Sequence, residues 1–194
     1  MTQTNDVSPQ PTEEEIRGRV LQSALLLCHE HGYKEVTTEA IAQRAGVTEE
    51  VLAGLWSSKA AVVIEAFRAA IGNRFTSVNT GDFEADLREQ LAAIARIFGD
   101  PNVSPHLRQV IGEAQHDETI MKAFLDLVFG PNRKAAHELF VTAQRNGQVR
   151  EDLDLEAAID LVFAPFWFRL LLHTGPTDDA YAASIADLAL AGLR

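Results

Sequence analysis

The residue types that carry most enzymatic chemistry are present in this 194-residue chain, but not in working arrangements. His106, His116, His137 and His173 fall in separate helical segments, and no pair has the spacing of metal ligands on one face. A glycine-rich phosphate loop, a nucleophile elbow and a clustered acid and base pair are all missing. The expectation is a protein that is not an enzyme and uses no metal and no cofactor. The single Cys28 cannot form an intramolecular disulfide. It is either a buried structural thiol or a reactive one, and its neighbours His29 and Glu30 offer little of the positive charge that a reactive thiol needs. What remains is apolar binding. Phe67, Phe98, Phe124, Phe129, Phe163, Phe166 and Trp167 can line a pocket for a small apolar or amphipathic effector, although aromatic residues at helical spacing also make plain core.

Elements that could position such residues are helices. Residues 1–11 are polar, contain Pro9 and Pro11, and read as a flexible tail. Thr12 and Glu15 have capping-box spacing, and Ile16, Val20, Ala24, Leu27 and Cys28 then recur at steps of three and four, so a first amphipathic helix runs to about Gly32. Thr37 and Thr38 can cap a second helix with Ala40, Ile41 and Ala45 on one face, and Gly46 suits the tight turn after it. Thr48 caps a short third helix through Leu55 that carries Val51, Leu52 and Leu55 inward, and Ser57 or Ser58 starts a fourth. Three short helices in about 45 residues, the second and third joined by a turn centred on glycine, form a helix-turn-helix pattern.

Longer helices follow at roughly 83–98, 104–115, 117–129, 131–146, 154–173 and 177–192. Asp82, Ser104, Asp117, Asp154 and Thr177 are their expected caps, and Gly99, Gly130, Gly147 and Gly175 mark ends, often beside Pro101, Pro131 and Pro176. Strand-like alternation is nearly absent. The fold class is all-α: an amino-terminal three-helix helix-turn-helix domain (12–60) and a larger carboxy-terminal helical domain for ligand binding and dimerisation (61–194). Leu155 to Leu172 is apolar around most of its circumference, as befits a helix buried against both its own core and a partner subunit. Pro165 within it should loosen a turn. The last helix adds Ala182, Ala183, Ala186, Ala189 and Gly192, small residues that permit close approach, so a homodimer through the last two helices is expected.

The stretch Gly32-Tyr33-Lys34-Glu35-Val36-Thr37-Thr38-Glu39-Ala40-Ile41-Ala42-Gln43-Arg44-Ala45-Gly46-Val47-Thr48, with Ser58-Lys59 further on, resembles the DNA-binding domain of TetR-type regulators. The end of the chain, Gly147 to Asp154 followed by an apolar helix and Leu188 to Leu193, is similar to a carboxy-terminal domain found in part of that family. The resemblance implies a repressor that acts as a dimer whose third helices enter successive major grooves of a roughly palindromic double-stranded operator, with the other helices enclosing an effector pocket. It further implies that Thr38 donates to a phosphate, that Thr48 approaches the backbone or a base edge, and that Lys59 contacts a phosphate, consistent with the unpaired amide donors that helix amino termini expose toward anions. The DNA-facing set is thus Thr38, Thr48, Glu49, Glu50, Leu52, Ala53, Gly54, Trp56 and Lys59.

The chain also departs from the family pattern. Ala53 stands where a tyrosine usually reaches the phosphate backbone, Gly54 where an aromatic or basic residue is common, and Glu49 and Glu50 where a lysine and a glycine open the recognition helix. Trp56 replaces a phenylalanine and can fill the same core slot. Acidic residues in a first helical turn complement the macrodipole, and a glutamate there can also accept from cytosine N4. Charge points the same way as these departures. With 28 acidic against 17 basic residues the chain carries −11, unusual for a binder of a polyanion. An alternative of another class follows, a helical dimer of the same fold with weak or lost duplex affinity that acts through ligand or protein contacts. Leu161 to Leu172, the longest apolar stretch, is too short to span a bilayer, and the first residues lack a secretory pattern, so no membrane association and a cytoplasmic location are expected.

Overall fold

Thr12 caps the first helix. Its hydroxyl accepts from the Glu15 backbone N–H while the Glu15 carboxylate takes the Thr12 N–H at 2.8 Å, so two otherwise unpaired donors are satisfied at once. The computed structural model describes residues 11–72 and 78–193, in ten α-helices with no strand among them. The expected tail of residues 1–11 lies outside the described residues except for Pro11, which is exposed.

The chain divides into two compact units, residues 1–66 and 67–194. The first unit contains α1 (Glu13–His31), a 3-10 turn at Tyr33–Glu35, α2 (Thr38–Ala45), α3 (Glu49–Leu55) and most of α4 (Lys59–Ile71). Thr37 caps α2 by accepting from the Ala40 N–H. Gly46 then sits in the left-handed region at φ 67°, where a side chain would be strained, and this sets the sharp turn into α3. Ser58 caps α4 by accepting from the Ala61 N–H at 3.1 Å. Val20, Ala24, Ile41, Leu52, Val62 and Val63 close the core of this unit.

The second unit holds α5 (Phe83–Gly99), α6 (Ser104–Ala114), α7 (Glu118–Phe124), α8 (Gly130–Arg145), α9 (Leu155–Leu172) and α10 (Asp179–Leu193). Leu87, Leu91 and Ile97 of α5 are fully buried and meet α8, α9 and α10, with Phe83 edge-on to Phe140 at 5.1 Å. Asp86 is buried but not unpaired, since it accepts from the Thr80 backbone N–H at 2.7 Å and from the Thr80 hydroxyl at 2.8 Å.

Three local expectations need correction. Ser104 is not a side-chain cap: α6 begins with Val103 at the N-cap position and no side-chain cap bond. The cap of α10 is Asp178, which accepts from Tyr181 N–H at 2.9 Å, rather than Thr177. Gly130 and Pro131 do not end a helix. Between α7 and α8 the chain stays helical through a π-turn, Leu125–Phe129, in which the Gly130 N–H reaches back to the Leu125 carbonyl. An added Cβ at Gly130 would stand 2.8 Å from that carbonyl oxygen, so only glycine admits the turn. The wider turn also accommodates Pro131, which lacks an N–H, and the Asn132 side chain bonds the Val128 carbonyl at 2.7 Å. Helix α9 is continuous through Pro165.

Candidate nucleic-acid interface and effector cavity

In the first unit, α3 is only seven residues long and must present one face to its own core and one outward. Leu52 is 2% exposed and anchors the inner face. Thr48, Glu49, Glu50, Ala53 and Gly54 are exposed and make up the outer one, together with Val51, which was expected inside. Thr38 is half-buried at the first position of α2. Two residues expected at the duplex belong instead to the core. Leu52 is enclosed by α3's own packing, and Trp56 is buried with its indole Nε1–H donating to Glu65 at 2.7 Å.

Glu65 is a partner that the sequence did not reveal. Its other oxygen accepts from Arg17 at 3.1 Å, and the Arg17 guanidinium lies 4.6 Å from the centre of the Trp56 ring, so one carboxylate ties α1, the end of α3 and α4 together. Lys59 is also drawn inward. Its ammonium donates to the Tyr33 carbonyl at 3.1 Å and the Val36 carbonyl at 2.9 Å and sits 4.2 Å from the centre of the Tyr33 ring. In this arrangement the lysine fixes the connection between α1 and α2 rather than pointing to solvent.

The electrostatics of the outer face follow. Residues 11–66 contain five basic side chains, Arg17, Arg19, Lys34, Arg44 and Lys59. Arg44 is paired with Glu30, whose carboxyl is held below the usual range first by that hydrogen bond. Arg19 and Lys34 are exposed, and the Arg19 guanidinium lies beside Gly46, where an added Cβ would meet its Nη1 at 3.8 Å. The Glu50 carboxyl is also lowered, first by its own backbone N–H and then by the Thr48 hydroxyl. Thr48 caps α3 by accepting from the Val51 N–H at 3.4 Å.

Burial pushes the Cys28 thiol up from 9.0 to about 11, against a smaller opposing effect of the Lys59 charge. It is a protonated core group at neutral pH.

The second unit holds a partly open apolar cavity of about 70 Å³. Ile71, Ile94, Phe98, Leu107, Val128, Phe129, Ala136, Ile159, Phe163 and Trp167 provide its apolar walls, and Asn132 and Arg133 its polar edge. Four expected aromatic residues therefore come together here: Phe98, Phe129, Phe163 and Trp167. Trp167 is the centre of the group, 4.7 Å from the Phe98 ring centre, 6.2 Å from Phe124 and 6.4 Å from Phe129.

Three others do not line the walls. Phe67 is buried against His106, Phe124 supports Trp167 from behind, and Phe166, one residue and about 100° round α9 from Trp167, is fully buried against Tyr181. The charged residue at the cavity was also missed. Arg169, inside the apolar helix, lies over the Tyr181 ring and donates to the Pro176 carbonyl, away from these walls. Arg133 borders the cavity, and it donates to Glu156 and Asp160 of α9. Burial lowers its pKa, but those two hydrogen bonds outweigh burial and raise it. The signal was legible in principle, since Glu156 and Asp160 are one helical turn apart and so share a face that one arginine can bridge. Among the described residues there is no cluster of metal-ligating side chains, and no helix is long and apolar enough to cross a membrane.

Residues 20–66 match the model of the bacterial regulatory proteins of the tetR family, and residues 78–189 match a tetracyclin repressor-like carboxy-terminal domain. The chain is 30% identical over 184 residues to YdeS, an HTH-type transcriptional regulator of Bacillus subtilis (strain 168), covering 95% of this chain and 92% of the relative. It is 28% identical over 188 residues to Rv1556, an HTH-type transcriptional regulator of Mycobacterium tuberculosis (strain ATCC 25618 / H37Rv), covering 96% and 89%. Among solved structures it is similar to the TetR family transcription regulator SCO0332, with a TM-score of 0.77 and 29% identity over 93% of this chain and 99% of that one.

Proposed function

The chain belongs to the tetR family of bacterial regulatory proteins, which are DNA-binding transcriptional regulators rather than enzymes, and we propose that it is an effector-responsive repressor that binds a palindromic operator as a homodimer in the cytoplasm. The observation that carries this reading is the division of labour within α3. Leu52 anchors a seven-residue helix whose whole opposite face, Thr48, Glu49, Glu50, Ala53 and Gly54, is open and presented after a glycine turn. A short helix held this way is what the major groove admits. Thr38 approaches the phosphate backbone, and the exposed cations Arg19 and Lys34 supply the local positive charge.

The dimer forms through α9 and α10. On α9, Ala157, Leu161, Ala164, Phe168 and Leu171 recur at steps of three and four and are all exposed, Leu161 at 74%; on α10 Leu188 is exposed at 72%. An apolar stripe of this length on a monomer is an interaction surface, and self-association buries it twice. Of the small residues expected at this surface, Ala182 and Ala186 are buried in the subunit's own packing, Ala189 is half-buried, and Ala183 and Gly192 are exposed. The effector, an apolar or amphipathic molecule, occupies the cavity around Trp167.

A second reading, the same dimer with weak or lost duplex affinity, is favoured by three observations together: Ala53 is too short to reach a phosphate, Lys59 is held by two backbone carbonyls, and Glu49 and Glu50 place two carboxylates on the exposed face of α3. Binding to duplex DNA at several salt concentrations separates the two. The repressor reading expects log affinity to fall linearly with log salt, with a slope of about one unit per phosphate contact. Absence of salt-dependent binding to any duplex, tested against a genomic fragment library, rejects it.

A further inference from the structure

We propose that the effector is an organic cation, an apolar body carrying one amine or quaternary ammonium head. The inference rests on reading the cavity of the second unit as the effector site, and it adds the sign of the ligand's charge. An arginine at the edge of an apolar cavity ordinarily suggests a carboxylate ligand, and here the surroundings of Arg133 reverse that expectation. Its Nη1 donates to Asp160 Oδ1 at 2.5 Å, and its Nη2 donates to Glu156 Oε2 at 2.5 Å. Both arms of the fork are occupied. A ligand carboxylate would have to displace one of these partners, exchanging one charge-assisted bond for another and leaving the displaced carboxylate beside it.

The charge balance of the cluster is one guanidinium against two carboxylates. The other titratable group facing it is His137, whose Nε2 lies 3.8 Å from Glu156 Oε1. Arg133 and its two carboxylate partners together carry a net charge of −1. The two carboxylates are not walls of the cavity themselves but adjoin it through Arg133. Glu156, Asp160, Phe163 and Trp167 follow one another along α9 at steps of four, three and four, so they share a stripe with two of the cavity's aromatic walls. The Glu156 and Asp160 side chains are more than half exposed, and Asp160 Oδ2 makes no hydrogen bond among the described residues. A cation placed there meets carboxylate oxygens outside, while its apolar body meets Phe98, Phe129, Phe163 and Trp167 inside. Aromatic faces carry negative potential and attract cations but not anions.

The test compares three ligands of equal chain length, octyltrimethylammonium, 1-octanol and octanoate, by calorimetric titration of the full chain and of the double variant Glu156→Gln/Asp160→Asn. Both substituted side chains are exposed, so the fold should survive, and circular dichroism checks that it does. The wild type should bind the ammonium about fivefold or more tighter than the alcohol, and the alcohol tighter than octanoate. The double variant releases Arg133, so the order should reverse and octanoate should become the tightest ligand. Octanoate binding best to the wild type, or all three binding alike, overturns the charge assignment while leaving the cavity as the effector site. If none of the three binds the wild type, both the assignment and the reading of the cavity fail together.

Discussion

Leu161 offers the sharpest test of the dimer. It projects from α9 with 74% of its surface exposed in one subunit, at the centre of a stripe formed with Ala157, Ala164 and Phe168. Full burial of a leucine side chain contributes about 1.5–3 kcal/mol, and three-quarters of that surface is available to a partner, so association gains about 1–2 kcal/mol from each copy. A two-fold axis counts the residue twice, giving about 2–4 kcal/mol for the pair. Leu161→Glu removes this gain and places two carboxylates in the interface, so its dissociation constant should rise by at least about thirtyfold and up to several hundredfold. The monomer loses little, because the side chain makes few contacts within its own subunit. Analytical ultracentrifugation across a concentration series reads the constant directly, with circular dichroism confirming that helix content is kept. A Leu161→Glu chain that dimerises as tightly as wild type would refute the assignment of this stripe to the interface. A variant that unfolds instead would show that Leu161 supports the subunit, contrary to its exposure.

Other substitutions address the first unit. Ala53→Tyr restores a reach toward the phosphate backbone, and a hydrogen bond to an anion should tighten duplex binding about tenfold or more in filter-binding titrations; Gly54 leaves room, since nothing lies within 4 Å of an added Cβ there. Glu50→Gln should tighten the same binding by about two- to fivefold, by removing an exposed charge beside the duplex. Lys59→Met deletes two charge-assisted bonds to the Tyr33 and Val36 carbonyls and should cost about 2–4 kcal/mol in urea unfolding; a variant of unchanged stability but reduced salt slope would show the lysine working at a phosphate instead. The Cys28 thiol ionises at about 11 in the folded protein against 9.0 in the unfolded chain, so the stability it lends is complete below pH 9 and is lost as pH rises through about 11. That loss is at most about 2–3 kcal/mol, and Cys28→Ala should flatten the decline in alkaline urea titrations.

The parts of this fold that the sequence disclosed are those decided within a few residues. Thr12 with Glu15, Thr37, Gly46 and Asp154 act through partners three or four positions away or through their own backbone, so type and spacing suffice. What was hidden depends on long-range partners. A seven-residue α3 has too few positions for periodicity to separate its faces, and so Val51, expected inward beside Leu52, is exposed while Leu52 is buried. Composition named the aromatic residues of the second unit but not which side of each helix they occupy, which is why Phe166 and Trp167 look alike in sequence and differ in space. Lys59, Glu65 and Arg133 are read as surface charges until their partners, 9 to 48 residues away, are known. Gly130-Pro131 looked like a terminator because that pair usually is one; only the Leu125 carbonyl, turned to face a glycine without a Cβ, shows otherwise.

The π-turn at Leu125–Phe129 sets the angular phase of the helix. It inserts one residue beyond an α-helical turn, so every side chain before it is offset by about 100° from the register that the residues after it would dictate. Phe124 and Phe129 can therefore approach the same indole from different sides, one behind it and one on the cavity wall, although they are five residues apart on one continuous helix. A one-residue deletion between 125 and 129 would leave a longer, more regular helix and would still misplace Ile120 and Phe124, which are buried as the chain stands. Length, in this segment, is a determinant of side-chain direction, and alignments of relatives that open or close a gap here would be comparing residues that point to different places.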